Sequence, residues 1–134
     1  MDLSRFHDAQ RGVVETALAE LRAGRKRSHW MWFVFPQLRG LGRSETARFY
    51  GIDGLAEARA YLADPVLGAR LEAAARAMLA ADGAAEEVLG PVDAMKLRSS
   101  MTLFREAGAG AWAQAVLDRF YGGEADRATV EALG

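Results

Sequence analysis

Apolar residues in this chain recur at three- and four-residue spacing almost from end to end, and a glycine, a proline or a capping side chain breaks the pattern before any stripe grows long. From Phe6 to Leu21 the positions Phe6, Ala9, Val13, Val14, Ala17, Leu18 and Leu21 trace one face of an amphipathic helix, which Ser4 can cap and Gly24 stops. Ser44 caps a short helix through Tyr50 that closes at Gly51, and Asp53 opens another carrying Leu55, Ala58, Tyr61 and Leu62. Asp64-Pro65 then sets a cap before a proline, starting a longer helix with Val66, Leu67, Leu71, Ala74, Ala75, Met78 and Leu79 on one side and an end near Asp82-Gly83. Ala84 to Leu89, Asp93 to about Ala107, Ala111 to Tyr121, and a last turn or two capped by Asp126 complete the series. No stretch alternates apolar and polar residues as a half-buried strand does. The chain is therefore expected to be all-α, a compact irregular orthogonal bundle of about seven to nine short helices forming one domain over residues 1–134.

A chain of 134 residues is long enough to bury a core without disulfides or metals, and it has no cysteine to supply either. Its two histidines, His7 and His29, have no partner at ligand spacing, so neither metal nor cofactor is expected. The formal charge of −1 argues against nucleic acid as a partner. The charge is unevenly placed: residues 1–50 carry nine basic and five acidic side chains, residues 51–134 eight and thirteen. That asymmetry suits an anion site built mainly from the first half. The N-terminus lacks a secretory pattern and the longest apolar run, Trp30 to Pro36, is too short to cross a bilayer, so a cytoplasmic protein with no membrane partner is expected.

Two segments carry the chemistry. Ser28-His29-Trp30-Met31-Trp32-Phe33-Val34-Phe35-Pro36-Gln37 puts four of twelve aromatic residues into six positions, directly after Arg25-Lys26-Arg27. A run this short has no diagnostic period; a short helix ended by Pro36 is the favoured reading. The second segment, Lys96-Leu97-Arg98-Ser99-Ser100-Met101-Thr102-Leu103-Phe104, sets two cations and three hydroxyls into an apolar stretch. On a helix, Lys96 lies one turn before Ser99 and Ser100, a small anion cradle. The plain alternatives are that the aromatic rings are core, that the basic triplet is a solvated turn at a helix C-terminus, and that the hydroxyls bond back to their own helix.

These segments, with Gly40-Leu41-Gly42-Arg43-Ser44 and Ala60-Tyr61-Leu62-Ala63-Asp64-Pro65-Val66-Leu67-Gly68 between them, resemble the DUF1810 family of small bacterial proteins of unknown function. The resemblance runs from Phe6 to Leu133 and implies a mainly helical single domain with no established activity. Some members carry the label calpastatin, a name that belongs to a long disordered inhibitor; a chain that is 51% hydrophobic and patterned to fold does not fit it.

The functional expectation is a polar pocket between the two segments that binds a small anionic or nucleotide-like molecule, with hydrolysis or transfer at an ADP-ribose- or NAD-related substrate as the form to test. Trp30 or Trp32 would stack on it, Arg43, Lys96 and Arg98 would neutralise its charge, and Gln37, Ser99 and Ser100 would hydrogen-bond it. His29 and Lys96 are the catalytic candidates, His29 as the one plausible proton shuttle beside the two segments. Asp93 is expected to cap its helix, or else to orient Lys96 or His29. The alternative is a protein or nucleic-acid interaction module that uses a Trp30/Trp32 aromatic patch, which an exposed patch would favour. The oligomeric state is open between a monomer and a weak dimer.

Overall fold

Gly12, held at φ +75°, cuts the first amphipathic stripe in two, a conformation that glycine adopts without strain. In the computed structural model, which describes all 134 residues, Ser4–Gln10 forms α1 and Val14–Arg22 forms α2. The later helices are α3 (Met31–Val34), α4 (Glu45–Tyr50), α5 (Leu55–Ala63), α6 (Leu67–Ala80), α7 (Ala85–Leu89), α8 (Pro91–Glu106), α9 (Ala111–Tyr121) and α10 (Arg127–Leu133). Ten helices thus stand where about seven to nine were expected, and the break at Gly12 supplies the surplus.

Side-chain caps set three of the helix starts. The Ser44 hydroxyl accepts from the Ala47 amide, Asp64 Oδ1 accepts from the Val66 and Leu67 amides, and Asp126 Oδ2 accepts from the Thr129 amide. Pro91 starts α8 at its first turn, two residues before Asp93, so Asp93 lies inside the helix. Asp53 does not cap α5. Glu57 reaches back instead and accepts from the Asp53 amide at 3.0 Å, and Asp53 pairs with Arg39.

One contiguous apolar core joins the helices, with α8 at its centre. Leu97, Met101, Leu103 and Phe104 of α8 are buried among α5, α7, α9 and α10, and α2 lies on α6. The Tyr61 ring meets Phe6 edge-on at 5.1 Å and Phe104 at 5.3 Å. Burying rings of this size contributes about 1.5–3 kcal/mol each. A polar knot sits beside them: the Gln10 amide, 2% exposed, donates to the Phe33 carbonyl at 2.7 Å and to the Tyr61 hydroxyl at 2.9 Å. Burial pushes the Tyr61 phenol above its ordinary value, so it stays a neutral member of this knot. Around it, α1 is tied down by Arg5 to Glu57 and by His7 to Asp64, both at 2.9 Å.

The turn before α4 is pinned to the residues after it. The Arg39 amide donates to the Ile52 carbonyl and the Ile52 amide to the Gln37 carbonyl, an isolated bridge that fixes where Gln37 stands. A Cβ on Gly51 would come within 2.7 Å of Arg39 Cα, so this closure requires glycine.

Candidate functional site

The loop between α2 and α3 has no regular structure, and its backbone must find partners elsewhere. Glu20, on α2, provides them. Its Oε1 accepts from the Arg27 amide at 2.8 Å, the Ser28 amide at 2.9 Å and the Trp30 indole at 2.9 Å, while Oε2 accepts from the Ser28 hydroxyl at 2.6 Å. Burial pushes the Glu20 carboxyl up, but these hydrogen bonds, led by the Ser28 hydroxyl, outweigh it and hold the carboxyl at about 2, below its usual 4.5. Trp30 is thereby locked inside the core, fully buried.

From this loop Lys26 reaches α8. Its ammonium lies 5.1 Å from the Trp30 ring centroid and 2.9 Å from Asp93, whose other oxygen lies 3.5 Å from Lys96. Lys96 in turn sits 4.7 Å over the ring of Trp32. The sequence Trp30, Lys26, Asp93, Lys96, Trp32 therefore stitches the two segments together, with two cations against one carboxylate. Lys26 is the better shielded, at 10% side-chain exposure, and Lys96, at 23%, holds the excess charge toward solvent.

Lys96 forms part of the wall of a cleft of about 280 Å³, with Gln37, Gly42, Ser99 and Asp126 as its other polar edges and Leu41, Val92 and Met95 as its apolar lip. Val92 and Met95 are 64% and 72% exposed, unusual for large apolar side chains. Through Gln37 and Gly42 the cleft adjoins a narrow hollow walled by Trp32 and Tyr50. Through Met95 and Asp126 it adjoins another, of about 170 Å³, lined by Arg98, Tyr121 and Glu86. The Arg98 guanidinium lies 5.7 Å from the Tyr121 centroid and pairs with Glu124 at 3.4 Å, an exposed pair of small energetic weight.

The structure brings Trp32, Gln37, Lys96, Arg98 and Ser99 together along this furrow. It places the other expected residues elsewhere. Trp30 is core, with no face open to a ligand; Ser100 is also core, and its hydroxyl has no hydrogen-bond partner. Successive residues turn 100° around a helix, so of two adjacent serines only one faces the cleft. His29 and Arg43 are exposed and outside the cleft lining. Asp93 is not a cap; it pairs with Lys26 at 2.9 Å and with Lys96 at 3.5 Å. The basic triplet divides: Arg25 and Arg27 are solvated, whereas Lys26 is structural. Glu20, Lys26, Val92, Met95 and Asp126 were not singled out as site residues; the only signal for Val92 and Met95 was two apolar side chains on the polar face of α8.

Because Trp30 is fully buried and Trp112 is 7% exposed, acrylamide should quench chiefly Trp32. Trp32→Phe is expected to remove most of the quenchable fluorescence, and Trp30→Phe and Trp112→Phe to leave it. Equal losses from all three would contradict the burial pattern.

The architecture defines a single helical domain with one mixed polar and apolar furrow across α8. Residues 1–133 match the family described as Protein of unknown function (DUF1810), and the chain belongs to that family. The fold is similar to the crystal structure of the conserved hypothetical protein Rv1873 from Mycobacterium tuberculosis at 1.38 Å, with 52% identity, 98% of this chain and 96% of that one covered, and a TM-score of 0.96. No curated protein matches the chain. No helix is long and apolar enough to cross a membrane, and no three His, Cys, Asp or Glu side chains gather as a metal site.

Proposed function

We propose that the α8 furrow binds a small nucleotide-like anion. The observation that carries the reading is the excess cation: Lys96 is held over Trp32 at 4.7 Å, shares Asp93 with Lys26, and forms part of the wall of a cleft of about 280 Å³. An anionic group would pair with Lys96, and a second could reach Arg98 in the adjoining hollow. The Gln37 side chain makes no hydrogen bond within the protein, and Asp126 uses only Oδ2 for its cap, so amide and hydroxyl groups of a ligand would find partners. Leu41, Val92 and Met95 would cover a flat apolar body.

The support extends to binding and not to turnover. Ser99 donates to the Met95 carbonyl at 3.3 Å, and no base lies within hydrogen-bond reach of its hydroxyl. Hydrolysis or transfer at an ADP-ribose- or NAD-like substrate would need a nucleophile brought by the ligand or by water. The rival reading, an aromatic interaction patch, loses Trp30 to the core and is left with half-buried Trp32.

The test is calorimetric titration of AMP, ADP-ribose, NAD and inorganic phosphate into the wild type, Lys96→Met and Asp93→Asn. A ligand of this site should weaken roughly tenfold or more in Lys96→Met, as a lost charge-assisted hydrogen bond implies. It should tighten in Asp93→Asn, which removes the competing carboxylate. Unchanged affinity in a folded Lys96→Met would overturn the reading.

A further inference from the structure

A second cleft lies on another side of the molecule, where the end of α5 faces the start of α9. Its volume is about 330 Å³, and Ala63, Glu72, Gly108, Gly110 and Trp112 are among the residues that line it. One wall is a set of unused donors. The amides of Ala111 and Trp112, first in an eleven-residue helix, have no carbonyl of their own helix to bond and sit at its positive end. The indole N–H of Trp112 joins them. That side chain is 7% exposed, and its N–H donates to no acceptor in the protein, whereas the buried indole of Trp30 is satisfied by Glu20. The edge carrying Nε1 and Cδ1 lies 3.2 Å from where a Cβ on Gly110 would stand, so glycine is what leaves this edge open to the cleft.

The opposite wall is a set of unused acceptors. The last carbonyls of α5, those of Leu62 and Ala63, take no backbone hydrogen bond, because Asp64 turns the chain and Pro65 has no amide to give; that of Leu62 packs against Gly68, and that of Ala63 is the freer of the two. Two carboxylates line this wall: Asp64 is taken up by His7 and by the Val66 and Leu67 amides, whereas Glu72 binds Arg76 through Oε2 at 2.8 Å and leaves Oε1 without a partner. No Lys or Arg lines the cleft. The carboxylate wall and the end of α5 therefore suit a cationic group, and the positive end of α9 suits an anionic one.

We propose that this cleft binds a small zwitterion, an α-amino acid or a molecule with the same pair of groups, its carboxylate on the α9 amides and the Trp112 indole and its ammonium on Glu72 and the end of α5. Ala109, Pro65 and Leu62 leave an apolar margin for the ligand's side chain. The site shares no lining residue with the α8 furrow and stands whether or not that furrow binds nucleotides.

The experiment is a nitrogen–proton correlation spectrum of the full chain, in which Trp112→Phe identifies the Trp112 indole signal. Glycine, leucine and phenylalanine are titrated, each beside its methyl ester and its N-acetyl form. The zwitterions are expected to shift the Trp112 signal to saturation while the Trp30 signal stays in place. The blocked forms should bind roughly tenfold more weakly, since each lacks one charged hydrogen-bonding group. Gly110→Ala, whose backbone is in an extended region open to alanine, should abolish the shift by placing a methyl against the indole edge. A Trp112 signal that none of the three amino acids moves, or blocked forms that titrate as well as the free ones, would overturn the proposal.

Discussion

Glu20→Ala is expected to destabilise the protein by about 3 kcal/mol, because it removes the acceptor of four hydrogen bonds and leaves the fully buried Trp30 indole unsatisfied. For a domain of this size that corresponds to a fall in melting temperature of roughly 10 °C. The same substitution should change the acid limb of the stability curve. The Glu20 carboxyl is held at about 2 against an ordinary 4.5, so its contribution is complete above about 4.5 and is lost as the pH falls toward 2. Wild type should therefore lose stability steeply across that window and Glu20→Ala less so. Glu57 and Asp64, also held low, supply the slope that remains. Parallel acid limbs in urea-unfolding series of the two proteins would show that Glu20 is not the hub of the loop.

Gly68→Ala is expected to cost about 2–3 kcal/mol, although alanine is the better helix former by about 1 kcal/mol. A Cβ there would stand 2.3 Å from the Leu62 carbonyl oxygen and 3.1 Å from its carbon. This neighbour is backbone, and the Asp64 cap pins it at both ends of the elbow between α5 and α6. The clash can be relieved only by opening that elbow. Gly54→Ala is the control: its backbone is extended and nothing lies within 4 Å of the new methyl, so a change within about 0.5 kcal/mol is expected. Similar losses at the two positions would mean that the elbow has more room than its geometry indicates.

Helix starts with a short oxygen-bearing side chain at the cap were legible from residue type, as at Ser44, Asp64 and Asp126, because capping is a contact between near neighbours. Asp53 misled because its side chain turns to Arg39 instead, while Glu57, four residues on, accepts from the Asp53 amide and α5 starts at Gly54 without a side-chain cap. The break at Gly12 was hidden because the apolar stripe continues in phase on both sides of it. Trp30 and Trp32 could not be separated. In a helix of four residues one position decides between core and cleft, and no period exists to set the phase. Lys96 and Ser99 were legible because α8 is long enough for its spacing to set a face. The role of Glu20 left no trace, since it depends on the chain doubling back over α2 through a loop whose path no local pattern dictates.

The cut at Gly12 also bears on how the molecule breathes. α1 has only seven residues and no side-chain cap, far below the length at which a helix persists unaided, so it is helical because Phe6 and Gln10 are buried and Arg5 and His7 are paired across to α5 and its cap. A continuous helix would have shared the stability of α2. A hinged one can lift away as a unit, and its amides would then exchange with solvent through that opening while those of α8 wait for global unfolding.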